Sequence, residues 1–274
     1  MQMINYNYKS QLKVIAVTGG KGGTGKTNVA INLASMLGSY KQNVILLDAD
    51  FGLANVDMLL GFSPQKTLSD VIAGSASLDE VLVRGPNNIR ILPSSRGNSQ
   101  MANLSLQHIS GLIHGMSDLE VPPNILIIDT AAGIQDAVIG LAIAATEILV
   151  VVCNDPASIA DAYALIKLLH TRYKVNKFRI LTNKVASKEE SYELFAKLTK
   201  VVDKFLTASL DNAGFIPYDK MLEKAVRKQQ AVIEAYPHSK SGISFGHLAK
   251  SVLNWPLRYE HSGGLSFDME IAGN

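Results

Sequence analysis

Apolar and polar positions alternate along this chain in two rhythms. Short runs of Val, Ile and Leu, bounded by turn residues, recur at 14–17, 44–47, 89–92, 125–128, 148–152, 178–181 and 214–216. Their near-continuous apolar character suits strands buried on both faces. Between most of them the spacing changes to a helical one. Val29, Ala30, Leu33, Ala34 and Leu37 predict a helix over 26–37. Ile159, Tyr163, Ile166 and Leu169 share one face of a second helix over 156–170, and a third is predicted over 188–209. The apolar stretch 138–153 contains Glu147 and reads as a helix running into a strand, not as a membrane span. Alternating strands and helices predict an α/β fold: a doubly wound, mostly parallel sheet of about seven or eight strands with helices on both faces. Such sheets bind ligands at the carboxyl ends of their strands.

Composition adds bounds. The 274 residues suffice for one large domain, and 47% hydrophobic against 18% charged residues suits a packed core. A net charge of +2 gives no electrostatic case for bulk nucleic-acid binding. A single cysteine, Cys153, allows no internal disulfide; it fits a reducing cytoplasm and a partly apolar strand end. Residues 1–13 are polar, without the pattern of a secretory signal. The reading is a short extension (1–13), one domain (14–257) and a tail (258–274).

The chemistry concentrates after the first strand. Gly20 to Thr27 fits the phosphate-loop template G-x-x-x-x-G-K-[ST]. Gly20, Gly22, Gly23 and Gly25 permit the tight backbone that converges amides on an anion, and the following helix aims its N-terminus at the same point. The cup is expected to run from Gly22 through Gly23, Thr24, Gly25, Lys26 and Thr27 to Asn28. Lys26 is expected to reach the β- and γ-phosphates of ATP, and Thr27 to ligate Mg²⁺. Asp129, closing the run Ile125-Leu126-Ile127-Ile128, is placed to meet that metal. Asp48 has a structural or metal-shell role, and Asp50 the task of orienting the attacking water. Thr130 follows Asp129 where many motor-type ATPases carry a glutamate base. Gly133, in Asp129-Thr130-Ala131-Ala132-Gly133, is expected to bring a backbone N–H near the γ-phosphate.

With Lys21 included, Lys21-Gly22-Gly23-Thr24-Gly25-Lys26-Thr27 resembles the deviant phosphate loop of the MinD/ParA class of dimerising ATPases. Leu47-Asp48-Ala49-Asp50-Phe51-Gly52-Leu53-Ala54-Asn55-Val56-Asp57 resembles the first switch of its MinD branch. The stretches 128–134, 161–169 and 194–200, with Trp255-Pro256-Leu257, are similar to the flagellar-number regulators FlhG and FleN. The resemblance spans about 14–257. It implies an ATP-dependent homodimer, with ATP hydrolysed to ADP and with Lys21 crossing to the partner's nucleotide. Asn183 would read adenine, and Pro217, Tyr218 and Asp219 would wall the purine. The implied role is control of flagellar number and placement, through a flagellar transcription activator and a switch-complex protein. Division or partition positioning, and an antiactivator that binds ATP without needing hydrolysis, are the other readings. A signal-recognition-type flagellar GTPase is a further partner that the family implies, but its activating motif (Asp-Gln-Ala followed by Leu-Arg) is missing from 1–13. The sequence also departs from the family at Thr24 and at Cys153-Asn154-Asp155-Pro156, where the subfamily has Cys-Asp-Glu-Pro. The acidic tail implies only weak, dimer-dependent contact with the inner face of the cell membrane. Lys220, Lys224, Arg227 and Lys228 fall on one helical face, read as a solvated surface; direct DNA binding is not expected.

Overall fold

The computed structural model describes residues 12–95 and 106–256. Nearly all of the extension and all of the tail therefore lie outside the described residues, as does Leu257. Eight strands form one sheet: β1 (Lys13–Thr18), β2 (Val44–Ala49), β3 (Val83–Arg84), β4 (Arg90–Leu92), β5 (Ile125–Thr130), β6 (Glu147–Cys153), β7 (Lys177–Val185) and β8 (Ser209–Pro217). Their order is β3-β4-β2-β5-β1-β6-β7-β8, and every pairing is parallel except β3 with β4.

The helices are α1 (Lys26–Ser39), α2 (Val56–Leu60), α3 (Leu68–Ile72), α4 (Leu78–Val81), α5 (Leu106–Gly115), α6 (Asp136–Ala144), α7 (Pro156–Tyr173), α8 (Lys188–Phe205), α9 (Lys220–Arg227), α10 (Val232–Ala235) and α11 (Lys240–Leu253). Alternate strand residues enter opposite cores, as a period of two requires. Ile15, Val17, Leu46 and Ile127 pack with Val29, Leu33 and Leu37 of α1 and with Phe245 and Leu248 of α11. Val14, Ala16, Ile45 and Leu126 face the other way, with Ile109 of α5 and Leu141 of α6. Farther along that second face, Val150 and Ile180 pack on Leu165 of α7 and Leu198 of α8.

The predicted strands are all present. Two details differ. The helix expected over 188–209 ends at Phe205, because Ser209 already pairs with Lys177 as the start of β8. The two-residue edge strand β3 carries too little pattern to be read from sequence.

Because the pairings are parallel, Thr18, Ala49, Thr130, Cys153 and Val185 all close their strands on one edge of the sheet. That edge carries the site. The opposite edge is tied by charge. Arg179 donates to Glu147 through Nε (2.7 Å) and Nη2 (3.3 Å) and to Asp211 through Nη1 (3.1 Å). It also lies 4.1 Å from the centre of the Trp255 ring. Lys13 Nζ donates to the carbonyls of Val252 and Trp255, each at 2.8 Å. The start of the first strand and the end of the last helix are thereby fixed together.

Candidate functional site

A cleft of about 1170 Å³ opens at the carboxyl edge. Its floor is the phosphate loop from Gly22 to Asn28, apart from Thr24, which is buried beneath it. The loop turns through two left-handed glycines, Gly23 (φ 76°) and Gly25 (φ 89°). Gly25 has a second reason to be glycine: a Cβ there would stand 2.6 Å from Asn183 Nδ2. At Gly20 a Cβ would stand 2.2 Å from the Asp161 carbonyl oxygen, so α7 can pack directly on the loop backbone.

Lys26 is buried, with Nζ 3.4 Å from the Lys21 carbonyl oxygen. Burial pulls its pKa down, partly offset by the charges of Asp129 and Asp50. A cation held in this way lacks a full complement of partners and suits a bound polyanion.

Asp129 is fully buried, and neither carboxylate oxygen makes a hydrogen bond of good geometry within the protein; the Thr27 hydroxyl is the donor beside it. Desolvation and the neighbouring Asp48 push its pKa well up; the Thr27 hydroxyl and the Lys26 ammonium partly offset this. A buried carboxylate left short of donors is what a cation would complete. Among the described residues no three His, Cys, Asp or Glu side chains converge on one point. Magnesium needs no such cage, because phosphate oxygens and water supply most of its ligands. The residues therefore fit Mg²⁺ held by the Thr27 hydroxyl and Asp129.

Asp48 is paired with Asp129 across β2 and β5. Of the two roles expected for Asp48, structural or metal-shell, its contacts show the structural one. Its Oδ1 accepts from the Asp50 amide (3.3 Å), and its Oδ2 accepts from Asn55 and Val56 (3.1 Å each). Those bonds shape the 50–56 loop. Burial raises the Asp48 pKa to about 6 despite them. Asp50 lies in the cleft wall and accepts from the Leu53 amide at 3.0 Å.

Gly133 has its backbone N–H engaged within the protein. Its φ is 103°, and its N–H donates to the Gly19 carbonyl at 3.2 Å. Ala131 and Ala132 face the cleft instead.

Asn183 and Lys184 line the cleft. Asn183 Nδ2 donates to the Thr24 carbonyl at 2.7 Å, and Lys184 Nζ donates to the Gly23 carbonyl at 2.8 Å. Pro217, Tyr218 and Asp219 stand outside the cleft lining. Asp219 caps α9 through the Met221 amide, and its Oδ2 accepts from the Ser241 amide and hydroxyl, so its carboxylate serves the fold. Lys21 is also absent from the lining. Its side chain is 40% exposed on the rim, where Nζ meets Asp155 Oδ1 at 2.8 Å. That contact raises the Lys21 pKa and lowers that of Asp155.

Sequence reasoning missed Lys184 and the Lys21–Asp155 pair. Both depend on contacts more than 130 positions apart in the chain. The only local signal for Lys184 was its place after a strand-end asparagine.

The pattern that defines the CobQ/CobB/MinD/ParA nucleotide-binding domain matches residues 15–232. The chain belongs to that family. Within it, the chain is 51% identical over 259 residues to the antiactivator FleN of Pseudomonas aeruginosa, covering 94% of this chain and 92% of that protein. It is 28% identical over 245 residues to the flagellum site-determining protein YlxH of Helicobacter pylori (89% and 83% covered). Among solved structures, the cell division ATPase MinD of Pyrococcus furiosus aligns with a TM-score of 0.71 at 22% identity, over 88% of this chain and 98% of that one. The MinD-like fold expected from the sequence is thus the fold found, and this member of the nucleotide-binding family carries its phosphate loop at the sheet edge where the fold places ligands.

Proposed function

We propose that this protein is an ATP-dependent dimerising switch with slow hydrolysis, acting in the control of flagellar number and placement through a flagellar transcription activator and basal-body components. The observation that carries the reading is the pair of loop lysines with different surroundings. Lys26 is buried in the floor of the cleft, whereas Lys21 is half-exposed on the rim, outside its own cleft. A lysine so placed is available to a second subunit's nucleotide. A cation supplied in trans contributes on the order of 10³–10⁵ in rate in related phosphoryl-transfer systems.

In this account the loop amides and Lys26 bind the phosphates, and Asp50 orients the attacking water. Thr27 and Asp129 would hold Mg²⁺, which would supply charge neutralisation to the phosphates. No glutamate follows Asp129, so water activation rests on Asp50, while the partner's Lys21 supplies a cation to the phosphates, which suits slow turnover. The flagellar role is supported by the relatives' names: one is an antiactivator and another a flagellum site-determining protein. The septum site-determining MinD of Pyrococcus horikoshii, complexed with Mg-ADP, shares the fold at a TM-score of 0.70 and 23% identity, covering 88% of this chain and 96% of that one. That complex supports Mg-nucleotide as the ligand.

Two substitutions test the cycle. Lys26→Ala is expected to abolish ATP binding. Asp50→Ala is expected to bind ATP and persist as a dimer, with phosphate release at background. Wild-type-like hydrolysis by Asp50→Ala would remove Asp50 from the mechanism. Full biological activity of that variant without hydrolysis would favour a binding-only antiactivator.

A further inference from the structure

The end of β7 holds the phosphate loop through two side chains. In a regular strand, Asn183 and Lys184 would face opposite sides of the sheet. Here the β7–β8 register shifts between Asn183 and Val185, and Lys184 adopts a left-handed backbone (φ 58°). That bulge brings two consecutive side chains to the same loop. They take two consecutive carbonyls: Asn183 Nδ2 holds Thr24 O at 2.7 Å, and Lys184 Nζ holds Gly23 O at 2.8 Å. Asn183 Oδ1 accepts the Lys184 amide at 2.9 Å and locks the pair together. The Cys153 thiol adds a weaker contact to Thr24 O at 3.6 Å.

A trans peptide unit points its N–H opposite to its C=O. Holding the carbonyls of Gly23 and Thr24 against β7 therefore turns the amides of Thr24 and Gly25 the other way. Two adjacent amides so aligned form part of an anion-binding concavity. Donors fixed before the anion arrives need no reorganisation when it binds. The Asn183 carboxamide has both ends engaged within the protein, so reading a base is not its only task.

We propose that Lys184 is a positioning residue which, together with Asn183, presets the phosphate-binding amides of the loop. The pair then serves the polyphosphate end of the ligand as well as any base. This rests on the nucleotide-binding reading given above.

The test is calorimetric titration of the full chain, in magnesium, with ADP and separately with inorganic tripolyphosphate. Lys184→Met is expected to weaken both by the same factor, on the order of tenfold, and Lys184→Arg to recover most of the loss. Lys184→Gly relieves the left-handed backbone, so it is expected to hold or raise the melting temperature of the nucleotide-free protein while weakening both ligands as Lys184→Met does. Weakened ADP with unchanged tripolyphosphate would assign Lys184 to the base and overturn the proposal. Affinities within twofold of wild type in Lys184→Met, or a lowered melting temperature with intact affinity in Lys184→Gly, would overturn it too. Failure of the wild-type protein to bind ADP would instead strike the nucleotide reading itself, and this proposal with it.

Discussion

At the scale of single residues, the site stores an electrostatic cost in two neighbouring carboxyls. Asp48 and Asp129 both have pKa values raised by burial, Asp48 from 3.8 to about 6. Below about pH 4 each is protonated in both folded and unfolded chains. Between about 4 and 6 the folded protein still holds the Asp48 proton and the unfolded chain has released it. Stability of the nucleotide-free protein therefore falls as pH rises through this window. The Asp48 share of that loss is about 3 kcal/mol. Melting temperatures taken from pH 4 to 8 check this, and a curve rising toward pH 7 would contradict it. Asp129→Asn keeps a neutral group in place without the ionisation cost. It is expected to flatten the decline and raise the melting temperature of the nucleotide-free protein. The same change should lower ATP hydrolysis on the order of 10²–10³-fold. Melts and phosphate release on one preparation measure both sides of that exchange.

At the scale of elements, what the sequence revealed and what it hid have physical causes. The loop, its strand and its helix were legible because glycines, a buried apolar run and a 3.6-residue rhythm are all local signals. The place of Asp129 was legible because it follows a buried apolar run beside that loop. Asp48 was half legible: its place at the strand end was readable, but only packing shows that its oxygens accept from the 50–56 backbone. The resemblance implied that Asp219 walls the purine, but the bond of its carboxylate to Ser241 of α11 is one that no local pattern announces. The contacts of α7 and β7 on the loop were invisible for the same reason. They carry a prediction at this scale. Gly20→Ala would drive a methyl group into the Asp161 backbone, and neither α7 nor the loop can yield cheaply. Its expected result is a lower yield of folded protein and lost ATP binding. Gly25→Ala strains a left-handed turn and displaces Asn183. It should cost about 1–3 kcal/mol of stability and weaken ADP at least tenfold; unchanged affinity by titration would contradict the loop geometry.

At the scale of the whole molecule, the sheet separates two tasks. One edge binds and the other holds the chain together. Arg179, Glu147 and Trp255 lie at the edge away from the cleft. Glu147→Ala leaves the buried guanidinium without its two-point partner, at an expected cost of about 3–5 kcal/mol. Nucleotide affinity should be unchanged at temperatures where the variant is folded, as denaturant melts paired with ADP titration will show. The expected membrane contact of the tail falls on residues outside those described; among the described residues no helix is long and apolar enough to cross a membrane. The central claim also belongs to this scale: two copies close on ATP, and Lys21 leaves Asp155 for the partner's nucleotide. The most direct measurement is the molar mass of the purified protein by light scattering with ADP and with a non-hydrolysable ATP analogue, wild type beside Lys21→Ala. The account predicts a monomer with ADP, a dimer with the analogue, and a monomer in both for Lys21→Ala. A wild-type mass that ignores the nucleotide, or a Lys21→Ala dimer as firm as wild type, would contradict it.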